Sequence, residues 1–295
     1  MAKVGEFRND EARENYLRAY DAMEALWPLP ATQVDIQTSF GPTHVRRSGS
    51  GPGTPIVLLH QFGGNGLVWH NVVEELAGDR VVYAPDTIGT AGRSIQTAPL
   101  NGEADFGAWF EEMLNGLGLE RVHLAGYSHG SWHAALAALH ASGRVASLTL
   151  IEPGGVFTRP KLGVLLKMIW FGMRGKSDEN MRETMAWLSP GAVVGDLEFA
   201  CGKAALHGYR MRIGWARMLK DAELRSITVP TLVIFGGDTL VADTGLATRR
   251  IAANVPHGTT EIYPGTAHGI LYQIPDRISR RILTFVQQHD RSEVR

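Results

Sequence analysis

Residues 119–140 read LERVHLAGYSHGSWHAALAALH, and the fold is decided in that stretch. Val122 to Ala125 is a short apolar run, and Trp132 to Leu139 is an Ala/Leu-rich segment with helical propensity. Between them stands Gly126-Tyr127-Ser128-His129-Gly130, a Gly-x-Ser-x-Gly pattern placed where a strand turns sharply into a helix. Such a turn forces the serine into a strained backbone conformation, and the flanking glycines leave room for the crowding. The hydroxyl then projects above the sheet, and the helix N-terminus behind it favours developing negative charge. A glycine-rich chain produces about 0.2 such matches by chance, so the strand before the pattern and the helix after it carry its meaning.

Outward from this turn the chain alternates. Ile56–Leu59 is a continuous apolar run, as expected of a strand buried on both faces of a parallel sheet, and Val68–Leu76 reads as a helix. Arg80–Ala84 is the next strand, Asp105–Leu117 the next helix, and Val145–Ile151 the strand that follows the serine turn. The rhythm returns with Thr231–Phe235, a helix over Thr244–Ala253, a strand over Thr260–Tyr263 and a final helix over Arg277–Gln288. This order predicts an α/β fold with a mostly parallel sheet. At the N-terminal end Asp10–Leu26 reads as an amphipathic helix, stopped by Trp27-Pro28-Leu29-Pro30 and packed on the core. Val34–Phe40 and Thr43–Arg47 then read as two strands joined at Gly41-Pro42.

Val156–Leu224 breaks the rhythm. It is apolar in patches, with Trp170, Phe171, Trp187 and Trp215 among them, and shows no strand-like alternation. It is expected to be a helical lid (156–224) inserted into a core made of 1–155 and 225–295. Trp170 and Trp187 are taken as pocket residues, with plain packing against the sheet as the alternative for each residue singly.

The bulk numbers exclude several classes of function. A formal net charge of −1 gives no electrostatic reason to expect nucleic acid or an anionic membrane as partner. The opening MAKVGEFRNDEARENY lacks the apolar core of a secretory leader, and no run approaches the ~20 apolar residues of a membrane span. The only cysteine, Cys201, excludes an intramolecular disulfide and a cysteine-based metal cluster. The loop His60-Gln61-Phe62-Gly63-Gly64-Asn65-Gly66 lacks the dinucleotide-binding spacing, and Gly175-Lys176-Ser177 has Trp170 where a P-loop has its first glycine. His129 and His133 stand four apart on one helix, without the third ligand that a metal site needs. A cytoplasmic enzyme with a small-molecule substrate, and with no metal, nucleotide or redox cofactor, is expected.

From about Val34 to His289 the chain resembles the α/β-hydrolase superfamily. The resemblance rests on His60-Gln61-Phe62-Gly63-Gly64, on Pro85-Asp86 through Gly92-Arg93-Ser94, on Gly126–Gly130, and on Gly265-x-x-His268, in the family's chain order. Leu26-Trp27-Pro28-Leu29-Pro30 and Phe40-Gly41-Pro42-Thr43-His44-Val45 are similar to bacterial carboxylesterases of the naproxen-esterase type. The resemblance implies Ser128 as nucleophile, His268 as its base, and the backbone N–H groups of Phe62 and His129 as the oxyanion hole. Many members have His-Gly where this chain has His60-Gln61, so Gln61 either narrows the pocket or hydrogen-bonds the substrate.

The third member of the triad departs from the pattern. Most members carry it in a Gly-x-x-Asp/Glu pattern, and here that reads Gly236-Gly237-Asp238-Thr239, with threonine at the acid's position. Glu152, at the end of the preceding sheet strand, stands where a minority such as the haloalkane dehalogenases place theirs, and is preferred. Asp238 after a local adjustment is the alternative, and a base without an acid is the third reading. The implied activity is hydrolysis of an ester or thioester of a hydrophobic carboxylic acid through an acyl-enzyme. Acyl transfer, release or cyclisation of a carrier-bound chain uses the same site. A non-hydrolytic ligand-binding or cyclase role uses only the fold.

Overall fold

The computed structural model describes residues 4–214 and 216–290; Trp215, read above into the insertion, lies outside them. The chain opens with the short strand β1 (Glu6–Phe7) and helix α1 (Asp10–Glu24). Asn9 caps α1 by accepting the Ala12 N–H, and Asp10 and Glu11 occupy the first turn, where the helix dipole favours acids. An antiparallel pair follows, β2 (Ala31–Thr38) and β3 (Gly41–Ser48). Its turn falls on Ser39 and Phe40, two residues earlier than the sequence indicated. Gly41 belongs to the strand, at a φ of 121°, and runs so close to Ile95 that a Cβ would meet that carbonyl oxygen at 2.0 Å.

β4 (Gly53–Leu59) leads to a 3-10 helix (Gly66–Asn71) and the short α2 (Val73–Leu76), which divide the single helix expected there at Val72. β5 (Arg80–Pro85), α3 (Glu103–Gly116), β6 (Val122–Tyr127), α4 (His129–His140) and β7 (Val145–Ile151) continue the alternation. Next come α5 (Leu162–Met173), α6 (Asp178–Leu188), α7 (Asp196–Gly208), the two-residue strand β8 (Tyr209–Arg210) and α8 (Asp221–Ser226). β9 (Thr231–Gly236), α9 (Thr244–Asn254), β10 (Gly258–Tyr263), α10 (Ile270–Gln273) and α11 (Pro275–Gln287) complete the chain.

Eight strands form the main sheet in the order β10-β9-β7-β6-β4-β5-β3-β2. They run parallel from β10 to β5, and β3 and β2 are antiparallel additions at one edge. Every residue of β7 is buried, which is why five of its seven residues are apolar and only the small polar side chains of Ser147 and Thr149 interrupt them. Side chains of β4 divide between two cores. Val57 and Leu59 join α3, α4 and α9 on one face, while Ile56 and Leu58 join α1, α2 and α11 on the other. Because the sheet is parallel, β4, β6, β7, β9 and β10 all end along one edge, where the loops carrying the candidate residues gather.

The N-terminal helix does more than rest on the core. β1 pairs antiparallel with β8, so the start of the chain is tied to the end of the helical insertion. Tyr16 meanwhile accepts a hydrogen bond from Asn65 Nδ2 (3.1 Å) in the loop after β4, and the Tyr20 hydroxyl lies 3.5 Å from Asp86.

At the opposite edge of the sheet Arg80 is fully buried, with its guanidinium on Asp290 (3.0 Å) and Asp79 (2.7 Å). His123 stands between Ser147 Oγ (2.8 Å) and Asp290 (3.1 Å). Burial holds His60, His123, His129 and His133 below the ordinary histidine range, His123 and His129 at about 4. The unfolded chain takes up protons at these positions below about pH 6.5, whereas the folded protein does so only at lower pH, at His123 and His129 near pH 4. Stability is therefore fully present above pH 6.5 and is lost as the pH falls towards 4. His123 alone accounts for about 3 kcal/mol of that loss. The Tm measured by calorimetry is expected to fall steadily from pH 6.5 to 4. His133→Phe keeps a ring stacked on Phe106 (centroids 4.4 Å apart) and removes a buried, unpartnered Nδ1, so it should flatten the decline. A Tm independent of pH across this interval would contradict neutral buried histidines.

Candidate active site

β6 passes into α4 through Ser128, at φ 54° and ψ −117°, outside the regions an ordinary side chain favours. Packing on both sides enforces the strain. A Cβ on Gly126 would meet the Gly130 carbonyl oxygen at 2.2 Å, and one on Gly130 would meet the Leu59 carbonyl oxygen at 2.2 Å. The Ser128 N–H donates to the Ile151 carbonyl (2.8 Å) and Ser131 Oγ accepts the Ile151 N–H (3.1 Å), pinning the turn to β7, while Ser131 Oγ donates to the Gly126 carbonyl (2.7 Å) at the end of β6. Among the described non-glycine residues, only Ser128 and Glu152 have positive φ. Strain concentrated at two residues in one place is the mark of a site that the surrounding structure holds open.

His268 sits on the loop after β10, with Nε2 2.9 Å from Ser128 Oγ. Tyr127 positions it by donating its hydroxyl to the His268 carbonyl (2.8 Å) and by lying under its ring (centroids 5.7 Å apart). On the other side His268 Nδ1 is 3.1 Å from Glu152 Oε2. Glu152 is fully buried at the end of β7. Its Oε1 accepts the Gly236 N–H, and its Oε2 also accepts the Thr239 hydroxyl. The bond to Glu152 puts the ring proton on Nδ1 and leaves the Nε2 lone pair facing Ser128. Asp238 is exposed, and its N–H is engaged by the Thr266 carbonyl (2.8 Å). Thr239, at the position where the sequence pattern calls for an acid, is thus a hydrogen-bond donor to Glu152.

Phe62, on the loop after β4, and His129, at the start of α4, lie side by side next to the serine turn. His129 is the first residue of α4, so its N–H has no acceptor within the helix, and Phe62 stands with its ring 6.0 Å from the imidazole of His129. The His129 ring itself donates from Nε2 to the Gly214 carbonyl (3.0 Å). The loop bearing Phe62 is locked by His60, whose Nδ1 donates to the Gln61 carbonyl (2.9 Å) while Nε2 accepts the Thr87 N–H (3.0 Å). Sequence reasoning assigned His60 no such part. The Gln61 side chain folds back on Gly64, where a Cβ would approach its amide within 3.0 Å, and its Oε1 is buried without a partner. Asp86 braces the neighbouring loops by accepting the Gly66 N–H (2.8 Å) and the Arg93 N–H (2.7 Å).

Trp170 and Trp187 take their ring contacts elsewhere, around Phe171 (5.0 and 5.5 Å between centroids), where they carry Arg174 and Lys167 on their faces. A cavity of about 200 Å³ lies between Phe106, Trp132, His133, Leu136 and Ile213, with Asn101, Glu103 and Arg217 also on its lining. Trp132, whose ring is 5.3 Å from that of His129, stands in the opening stretch of sequence, where it was read only as the start of an Ala/Leu-rich helix. No group of three or more His, Cys, Asp or Glu suited to a metal ion occurs among the described residues.

A serine on a strained strand-to-helix turn, a histidine delivered by the last sheet loop and a mostly parallel sheet beneath them are the features of the α/β-hydrolase fold. A family model described as the alpha/beta hydrolase fold matches residues 54–184. The chain is 27% identical to carboxylesterase YbfK of Bacillus subtilis (strain 168), over 95% of its own length and 96% of that protein. The crystal structure of carboxylesterase CesB (YbfK) from B. subtilis has a TM-score of 0.84 and 26% identity, covering 94% of this chain and 98% of that one. Naproxen esterase (carboxylesterase NP) from B. subtilis shares the fold, with a TM-score of 0.85 at 24% identity over 92% of this chain and 97% of that one. The chain has the alpha/beta hydrolase fold and is a hydrolase enzyme, similar along nearly its whole length to bacterial carboxylesterases.

Proposed function

We propose that this protein is a serine carboxylesterase acting on esters of hydrophobic carboxylic acids. The observation that carries the reading is the 2.9 Å contact between Ser128 Oγ and His268 Nε2, on a turn whose backbone strain aims the hydroxyl at the sheet edge. An unassisted serine hydroxyl is a weak nucleophile near neutral pH, and a histidine at this distance supplies the base it lacks. Ser128 Oγ attacks the ester carbonyl and its proton passes to His268 Nε2. The carbonyl oxygen, now negative, is held by the N–H groups of Phe62 and His129. Removal of one such donor in other serine hydrolases costs about 10²–10³ in rate. His268 returns the proton to the departing alkoxide as the C–O bond breaks, leaving an acyl-enzyme. Water, deprotonated by His268, then releases the acid and restores Ser128. Glu152 holds His268 in the productive tautomer and offsets the imidazolium that forms.

The similarity to carboxylesterase YbfK over almost the full chain supports ester hydrolysis. Phe106, Trp132, Leu136 and Ile213 give the cavity they line an apolar part, with Glu103 and Arg217 also on its lining, and this apolar part supports a hydrophobic substrate.

The test is intact-protein mass spectrometry after incubation with a fluorophosphonate, followed by peptide mapping. One adduct per chain, on Ser128, is expected, and none on Ser128→Ala. A folded protein that takes up no adduct returns the non-hydrolytic reading.

A further inference from the structure

Helix α5 turns its apolar stripe away from the protein. Phe171 is its one buried residue. At about 100° per residue, Leu162, Leu165, Leu166, Ile169 and Met173 fall together on the side opposite Phe171. They are 70%, 47%, 57%, 50% and 75% exposed. Single exposed apolar side chains are ordinary, but a continuous stripe along one helix marks a surface that something covers.

The charge around the stripe is one-sided. Between Pro153 and Ser177 the sequence holds Arg159, Lys161, Lys167, Arg174 and Lys176 and not one acid. Arg159 and Lys161 are exposed at the amino end of α5. Lys167 lies over the Trp187 ring (4.7 Å) and Arg174 over Trp170 (4.8 Å), each apolar stem covering the hairpin while the charge stays at its rim. Of the acids on the neighbouring helix α6, Asp178 and Glu183 are paired with Lys203 and Arg174, and the exposed Glu179 adds one negative charge against the five cations.

We propose that α5 docks this protein onto an anionic lipid surface, with the stripe in the acyl boundary and the cations against the headgroups. Charge complementarity selects this occupant. A second copy of the chain, meeting stripe to stripe across a two-fold axis, would set each cationic segment against its own image. The helix lies on the surface rather than crossing it: its 12 residues span roughly 18 Å against a hydrocarbon core of about 30 Å. No described helix is long and apolar enough to cross a membrane. The near-zero net charge, which gave no reason to expect a membrane partner, conceals this because the cations are segregated into one segment. The proposal does not depend on the ester chemistry.

Vesicle flotation of the full chain tests it, using phosphatidylcholine vesicles with and without phosphatidylglycerol. The wild type should float with the anionic vesicles and far less with pure phosphatidylcholine. Arg159→Gln with Lys161→Gln should lower partitioning about 25-fold, on the order of fivefold per cation. Leu166→Asp with Ile169→Asp should abolish it. Both variants should turn over a short-chain, water-soluble ester at the wild-type rate, showing an intact fold. Wild-type protein that stays with the soluble fraction, or variants that float like the wild type, would overturn the proposal. So would a wild-type dimer in sedimentation equilibrium that Ile169→Asp dissolves, since the stripe would then be a contact between copies.

Discussion

Glu152→Gln is expected to lower kcat on a carboxylic ester by about 10⁴-fold, and Asp238→Asn to leave it unchanged. The amide fills the space of the carboxylate and still accepts the Gly236 N–H, so the fold is kept. What changes is the partner of His268. An amide NH₂ facing Nδ1 stabilises the tautomer with the proton on Nε2, where it points at Ser128 instead of receiving that residue's proton. Asp238 is exposed and its variant touches none of these atoms. Thr239→Val separates the two halves of the argument. It deletes one of the donors that fix the Glu152 carboxylate but leaves the carboxylate itself, so a smaller loss, on the order of tenfold, is expected. A reversed result, with Asp238→Asn inactive and Glu152→Gln active, would assign the acid to the β9 loop and require that loop to rearrange in the working enzyme.

The same three residues show what a sequence carries and what it withholds. β7 was legible because a strand buried on both faces is mostly apolar, and Val145–Ile151, interrupted only by Ser147 and Thr149, ends where the charged Glu152 begins the next loop. The serine turn was legible because Gly126 and Gly130 leave space that no other residue leaves. The acid was not. Glu152 and Asp238 both follow apolar strands, and which one meets His268 depends on where loops from β7, β9 and β10 converge in space. That is a property of the sheet order, which spacing along the chain does not encode. Thr239 would have been a clue: a hydroxyl in the acid's usual position is explained once it is seen bonding a carboxylate from the neighbouring strand.

The orientation of the helices in the insertion was not legible for a related reason. The insertion's apolar spacing announces helices, but periodicity gives the angle between two faces and not which face turns inward. Trp170 and Trp187 read as pocket walls because large apolar side chains beyond the needs of a core often line a pocket. In the fold they close the α5–α6 hairpin around Phe171 and carry Arg174 and Lys167. The hairpin turn at Ser39–Phe40 was missed because Gly41-Pro42 is ordinarily a turn signal, whereas here Gly41 is required by the close passage of Ile95. In each case the local residue preference was read correctly and a distant partner decided its use.

Gly130→Ala should destabilise the protein by more than about 4 kcal/mol, at the severe end of single substitutions. The added methyl would lie 2.2 Å from the Leu59 carbonyl oxygen and 2.6 Å from that of His60. Both are backbone atoms at the end of β4, which is held between β5 and β6 near the middle of the sheet, so neither can swing aside as a side chain would. Relief requires α4 to move away from β4. That motion shifts the N–H of His129 relative to that of Phe62, which hangs from the end of β4, so any folded fraction should also lose rate. Gly202→Ala is the matched control. Gly202 sits within α7, where an added methyl would meet nothing within 4 Å, and the substitution should stabilise the helix by roughly 0.5–1 kcal/mol. Urea midpoints and kcat for the two variants check both statements. A Gly130→Ala protein with the wild-type midpoint would mean that the turn is looser than its contacts require, and that the strain at Ser128 is not held by its glycine neighbours.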